Sequence, residues 1–325
     1  WRPENYSGRF YGPTRLREAL VKSRNLVSIR ILQSIGLNFA TRYAQRFGFE
    51  KKDMPYDLSL ALGSGAFSPL EIARSYAVFA NGGFLVTPYF IDRIDSSSGE
   101  TLFKSSPRIV CHDCEVKAAA PETEEPAIVE DAVVATGEST GPAVEVVETE
   151  VVEHAPRVIS AQNVHIMRSI IREVVQRGTA VRAKSLGRQD IAGKTGTTND
   201  QKDAWFSGFN DQVVATAWVG FDNQRPLGSR ETGGRAALPM WMDYMREALD
   251  GLPENPEQQP DGLVTVRIDS ETGERATKLS RNTQFEIFKL GTEPQEKKLS
   301  NGTSGAQPGN RRGAVKEIDV TEGIF

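Results

Sequence analysis

Cysteine is scarce: two occur in 325 residues, both in the single run Cys111-His112-Asp113-Cys114. A structural zinc site needs about four ligands, and no second cysteine pair exists to complete one. The other histidines, His154 and His165, are few and scattered in sequence. The favoured reading is a local disulfide or two free thiols in a loop, which leaves the redox compartment open. Long apolar runs are missing, and none approaches the roughly 20 residues of a membrane-crossing helix. Positive charge is not in excess either: 39 Lys and Arg stand against 43 Asp and Glu, a net charge of −4. A phosphate-binding surface normally shows a basic excess, so no nucleic-acid partner is expected. No methionine or signal peptide opens the chain, which starts Trp1-Arg2-Pro3-Glu4. That start is expected of a processed protein or a piece of a longer one. There is no internal repeat.

What is present suits a globular chain of one large domain or two ordinary ones, with 38% hydrophobic and 25% charged residues. Leu16 to Ile35 carries apolar residues at helical spacing up to Gly36, and Asn38 is placed to cap a second helix through Phe47. Ser68-Pro69-Leu70-Glu71 predicts a helix start with a capping box and proline at the first position. That helix runs to Ala80 and stops at Asn81-Gly82-Gly83. Phe84 to Ile94 and Thr101 to Lys104 predict a hairpin turning at Ser96 to Gly99. From Lys117 to Arg157 no basic residue intervenes and aromatics are absent, the composition of a solvated or disordered insertion.

Ser160 to Gln176 predicts a helix with one apolar stripe. Three strands are predicted next, over Gln189 to Thr198, Asp203 to Phe209 and Val213 to Phe221, the last two joined at Asn210-Asp211. Pro239 opens a final helix, Met240 to Leu249. A small hairpin is expected from Leu263 to Asp269 with a turn at Glu271-Thr272-Gly273, and Lys297 to Arg312 has the composition of a flexible tail. The expected organisation is 1–106, helical with a hairpin; 107–157, acidic insertion; 158–252, helix and core strands; and 253–325, C-terminal extension.

Chemistry concentrates at Lys194-Thr195-Gly196-Thr197. On a strand, Thr195 and Thr197 share one face, with Lys194 and Gly196 on the other. A fixed ammonium with two hydroxyls is a natural seat for a carboxylate, and Gly196 leaves room for a ligand or a second backbone. Lys-Thr-Gly belongs with Ser-x-x-Lys and a Ser-x-Asn-type element in one signature set. Ser-x-Asn occurs as Ser23-Arg24-Asn25 and as Ser280-Arg281-Asn282. Only the first precedes the Lys-Thr-Gly strand from a helical context, and the second is assigned to a surface turn. Trp205, Phe206, Trp218 and Phe221 are expected in the core of the sheet more than around a ligand. Arg182, Lys184 and Arg188 are expected on a solvated face.

The surroundings make the resemblance specific. Gly12-Pro13-Thr14-Arg15-Leu16-Arg17-Glu18 leads up to Ser23-Arg24-Asn25. Ala61-Leu62-Gly63-Ser64 comes before Ser68-Pro69-Leu70-Glu71. Ala192-Gly193-Lys194-Thr195-Gly196-Thr197-Thr198-Asn199 is followed by Asp203-Ala204-Trp205-Phe206-Ser207-Gly208 and Trp218-Val219-Gly220-Phe221-Asp222. Together these resemble class A, bifunctional penicillin-binding proteins of the 1A kind, in the C-terminal part of their transpeptidase domain. The resemblance implies an α+β fold of the penicillin-binding-protein and serine β-lactamase type, an antiparallel sheet flanked by helices plus a helical subdomain, truncated on its N-terminal side. It implies serine acyl transfer on D-alanyl-D-alanine stem peptides of peptidoglycan, without cofactor or metal, in a cleft that β-lactams also occupy.

Carried over residue by residue, Ser23 relays protons and Asn25 holds the acyl-side amide. Lys194 supports Ser23 and attracts the substrate carboxylate, Thr195 and Thr197 bond it beside Gly196, and the N–H of Thr197 supplies half of an oxyanion hole. The resemblance further implies a place on the periplasmic face of the bacterial inner membrane, with the anchor and the glycosyltransferase module outside this chain. It also implies outer-membrane, divisome or elongasome activators as partners. No serine here has a lysine three residues on. The nucleophile and its lysine are therefore expected upstream of Trp1, in the N-terminal part of the same protein, and the chain alone is expected to be inactive and poorly able to fold by itself. Two rivals stand beside this reading: a serine β-lactamase or carboxypeptidase, which shares the motifs without these flanks, and a non-catalytic binding module.

Overall fold

The computed structural model describes residues 2–112, 114 and 153–295. The acidic insertion, for most of its length, and the tail at Lys297 to Arg312 lie outside the described residues. The chain divides into two compact units, Trp1–Leu85 with Arg157–Phe325, and Val86–Pro156. No described helix is long and apolar enough to cross a membrane.

In the larger unit the expected single helix from Leu16 is two, α1 (Leu16–Val21) and α2 (Asn25–Ile35). The break is at Ser23, whose φ of 52° is left-handed, a conformation that no helical periodicity signals and that a residue with a Cβ adopts only at a cost. The next helix, α3 (Leu37–Gln45), begins one residue before Asn38 and has no side-chain cap. The Asn38 side chain instead accepts from Tyr56 at 2.8 Å. Helix α4 (Pro69–Ala80) starts as its sequence dictates: Ser68 accepts from the Glu71 N–H, and Glu71 closes back on the Ser68 N–H at 2.7 Å.

After α5 (Ala161–Arg177), capped by Ser160, the chain forms the antiparallel strands β3 (Ala192–Thr197), β4 (Ala204–Phe209) and β5 (Val214–Val219) in that order, then α6 (Ala237–Ala248). A hairpin of β6 (Leu263–Asp269) and β7 (Thr283–Lys289) ends the described chain. Ser280-Arg281-Asn282 lies in the mostly exposed link between them. The register pairs Lys194 with Ser207, Thr195 with Phe206 and Gly196 with Trp205.

Strand alternation gives the sheet two unlike faces. Phe206 packs edge-on against Trp241 of α6, ring centroids 4.8 Å apart, and the Trp241 indole N–H donates to the Ala215 carbonyl. Val174, Ile191, Leu238 and Met245 complete this fully buried layer. On the opposite face Phe209 meets Tyr76 of α4. Helix α1 is tied to α5 by Arg17, which is 6% exposed and donates to Ser169, Glu173 and Glu286. Lys22 adds a bond to the Arg177 carbonyl at 2.6 Å.

In the smaller unit the predicted hairpin forms as β1 (Arg93–Asp95) and β2 (Thr101–Lys104). The expected extension of its first strand back to Phe84 does not form. Phe84 instead makes an isolated bridge to Arg157 in the larger unit. Cys111 and Cys114 form a disulfide.

Candidate active site

Ser23 reaches the site through the corner between α1 and α2. Its N–H donates to the Leu20 carbonyl and that of Arg24 to Ala19, so the chain turns sharply before α2 begins. Asn5 fastens the preceding segment to this corner by accepting from the Leu26 N–H at 3.2 Å, and the Asn25 amide donates to the Glu4 carbonyl at 3.0 Å. Arg24 turns away, its guanidinium 3.3 Å over the Tyr11 ring. From β3, the Lys194 ammonium donates to Ser23 Oγ and to the Thr195 carbonyl, both at 2.9 Å. Burial pulls the pKa of this ammonium down to about 8, because desolvation penalises the charged form.

Ser23 and Asn25 line a cleft of about 760 Å³ together with Thr179, Thr195, Thr197 and Asp200. The strand β3, an edge of its sheet among the described residues, divides it from a second hollow of about 790 Å³ on the α4 side, lined by Lys194, Trp205, Trp218, Phe67 and Tyr76. The structure thus brings Ser23, Asn25, Lys194, Thr195 and Thr197 to one locality from segments some 170 residues apart in sequence. Gly196 sits between them, where an added Cβ would come to 3.0 Å from Trp205 Cβ.

Several participants were not foreseen from sequence. Thr179 shares a hydrogen bond of 2.7 Å with Thr195. The Gly233 N–H donates to Thr197 Oγ1 at 3.0 Å, and a Cβ at Gly233 would strike the carbonyl oxygens of Trp205 and Gly196. A glycine pair signals a turn, but nothing local says that the turn crosses β3. Gln201 joins this loop to the end of β3 by accepting from the Leu227 and Arg230 N–H groups. The aromatic expectation divides: Phe206 is core, whereas Trp205 and Trp218, ring centroids 5.9 Å apart, are half-buried and line the second hollow. Arg188 departs from a solvated face: it pairs with the buried Asp190 at 2.6 Å and bonds the Leu252 carbonyl.

Two family models match the chain: the penicillin binding protein transpeptidase domain over residues 1–239, and the penicillin-binding protein 1A C-terminal domain over 259–298. The chain is 44% identical over 313 residues to penicillin-binding protein 1A of Pseudomonas aeruginosa, across 95% of this chain and 38% of that protein. Its identity to the Escherichia coli protein of the same name is 37% over 331 residues, across 91% and 39% respectively. The crystal structure of penicillin-binding protein 1A from Haemophilus influenzae superposes with a TM-score of 0.77 at 38% identity, covering 92% of this chain and 43% of that one. At 20% identity and a TM-score of 0.56, the PonA1 protein of Mycobacterium tuberculosis, solved in complex with penicillin V, shares the fold. The chain therefore spans about two fifths of the length of its relatives, and its helices and antiparallel strands are those of the transpeptidase fold.

Proposed function

Because this chain belongs to the penicillin-binding-protein transpeptidase family, in its 1A kind, we propose that its cleft is the substrate-holding side of a peptidoglycan D,D-transpeptidase. The observation that carries this reading is the 2.9 Å contact between Lys194 Nζ and Ser23 Oγ, beside two threonine hydroxyls and an asparagine amide. A serine nucleophile attacks the carbonyl between the two D-alanines of a stem peptide, terminal D-alanine leaves, and an amine of a neighbouring stem resolves the acyl-enzyme. Lys194, with a pKa of about 8, holds a proton at neutral pH yet releases it at modest cost, so Lys194 and Ser23 can pass the proton of the attacking serine to the leaving amine. Thr195 and Thr197 hold the terminal carboxylate, Asn25 holds the acyl-side amide, and the Thr197 N–H helps to bind the oxyanion. β-Lactams enter the same cleft.

No Ser-x-x-Lys occurs in these 325 residues, and we assign the nucleophile to sequence ahead of Trp1 in a longer protein. That protein acts at the periplasmic face of the inner membrane, through an anchor outside this chain, and answers to protein activators. The missing pair also favours a second reading, a module that binds stem peptide without acylation. Fluorescent penicillin separates the two. A polypeptide extended upstream through a Ser-x-x-Lys is expected to be labelled covalently, Lys194→Ala to slow labelling about a hundredfold or more, and the 325-residue chain to stay unlabelled. Absence of covalent label in the extended protein leaves the binding module. Undiminished labelling in the Lys194 variant removes the role given to that residue.

A further inference from the structure

Besides the residues of the cleft, one group of metal-competent side chains stands out among the described residues, within the 86–156 unit. The ligand atoms of Cys111, Cys114 and His154 lie within 4.8 Å of one another. The sulfurs are joined as a disulfide, the Cys114 N–H donates to Cys111 Sγ at 3.1 Å, and His154 Nε2 is 3.6 Å from Cys114 Sγ. His154 is 40 residues beyond Cys114, so its position is not a product of local sequence. A parallel bridge places it: the Ile109 N–H donates to the Glu153 carbonyl and the Ala155 N–H to the Ile109 carbonyl, at 3.1 and 2.8 Å. Arg108 pairs with Glu153 at 2.8 Å and reinforces the bridge.

These spacings fit a tetrahedral metal site whose two sulfurs have closed on each other. Zinc bonds sulfur at about 2.3 Å and imidazole nitrogen at about 2.0 Å, which sets a sulfur-to-nitrogen edge of about 3.6 Å and a sulfur-to-sulfur edge of about 3.8 Å. The first edge is already present between Cys114 and His154. The second needs only the disulfide to open, and the N–H donated to Cys111 Sγ is a ready partner for a thiolate.

We propose that Cys111, Cys114 and His154 form a redox-gated site for a zinc-like divalent cation, with water in the fourth position. A dithiol reductant gives two electrons and two protons to the disulfide and becomes a disulfide itself. The cation then displaces both thiol protons and bonds the two thiolates and the neutral imidazole. Where thiols are kept oxidised, as at the periplasmic face proposed above, the site stays shut until a dithiol reductant reaches it.

The test uses the full 325-residue chain, reduced with a phosphine and freed of it without oxygen, then titrated with zinc against a chromophoric chelator. One equivalent is expected to bind the reduced chain at least tenfold more tightly than the oxidised chain. Cobalt should give a thiolate-to-metal charge-transfer band. Cys111→Ser should abolish the band, and His154→Ala should weaken zinc binding about tenfold or more. In the unsubstituted chain, zinc should shield both thiols from iodoacetamide, a readout independent of any variant's folding. Equal zinc binding by oxidised and reduced chains, unaltered binding in either variant, or unshielded thiols would each overturn the site.

Discussion

The two faces of the β3–β5 sheet are built from alternate residues of the same strands, yet they serve different ends. Toward α6, Phe206, Leu238, Trp241 and Met245 are at most 1% exposed and make a dry layer. Toward α4, Lys194, Trp205 and Trp218 are only half-buried and line a hollow. Strand alternation puts Lys194 on the open face, whereas Thr195, paired with Phe206, lies at the rim of the packed one, so β3 serves the site from both sides.

Neighbouring residues provide the sharpest way to break that comparison. Phe206→Ala should cost about 3–5 kcal/mol, a large-to-small change in a sealed core. Trp205→Ala, one residue away on the open face, should cost less, about 2 kcal/mol, from its partly buried area together with its one aromatic pair. Urea unfolding of both variants decides, and equal losses would show that the faces do not differ. Next in size is the titration of Lys194. Its pKa falls from 10.5 to about 8 on folding, so between those values the unfolded chain binds more protons and stability rises with pH. From pH 7 to pH 9.5 the unsubstituted chain should gain about 2 kcal/mol over Lys194→Met. Parallel pH curves for the two would place the ammonium in water. The smallest effect is expected for Ser68→Ala, which removes one half of the box that starts α4, the helix over the open face. A loss of about 1 kcal/mol, read as a lowered thermal midpoint, would fit.

Where an element is fixed by neighbours in the chain, the sequence is enough to find it. Ser68, Pro69 and Glu71 act within one turn, and the capped helix forms as expected. Asn210 directs the turn between β4 and β5 through its own side chain, which accepts from the Gln212 and Val213 N–H groups. Of the cleft, Lys194, Thr195 and Thr197 are legible because strand alternation orients them. The break at Ser23 is not, since a left-handed serine is stabilised by Lys194 from far along the chain. The Gly233 crossing of β3 and the approach of His154 to Cys114 were hidden for the same reason: each depends on a partner 36 or 40 residues away.

Ser23 is one of four non-glycine residues with positive φ among the described residues. Asp200 and Gln201 line the same cleft, and Arg230 bonds to Gln201. This geometry restricts which replacements position 23 can accept. Threonine keeps the hydroxyl, but its branched Cβ suits a left-handed backbone poorly. Glycine keeps the turn without strain and loses the oxygen that meets Lys194. The chemically nearest substitute is thus sterically the wrong one and the sterically easiest is chemically empty, so the backbone confines position 23 more narrowly than its hydroxyl alone would.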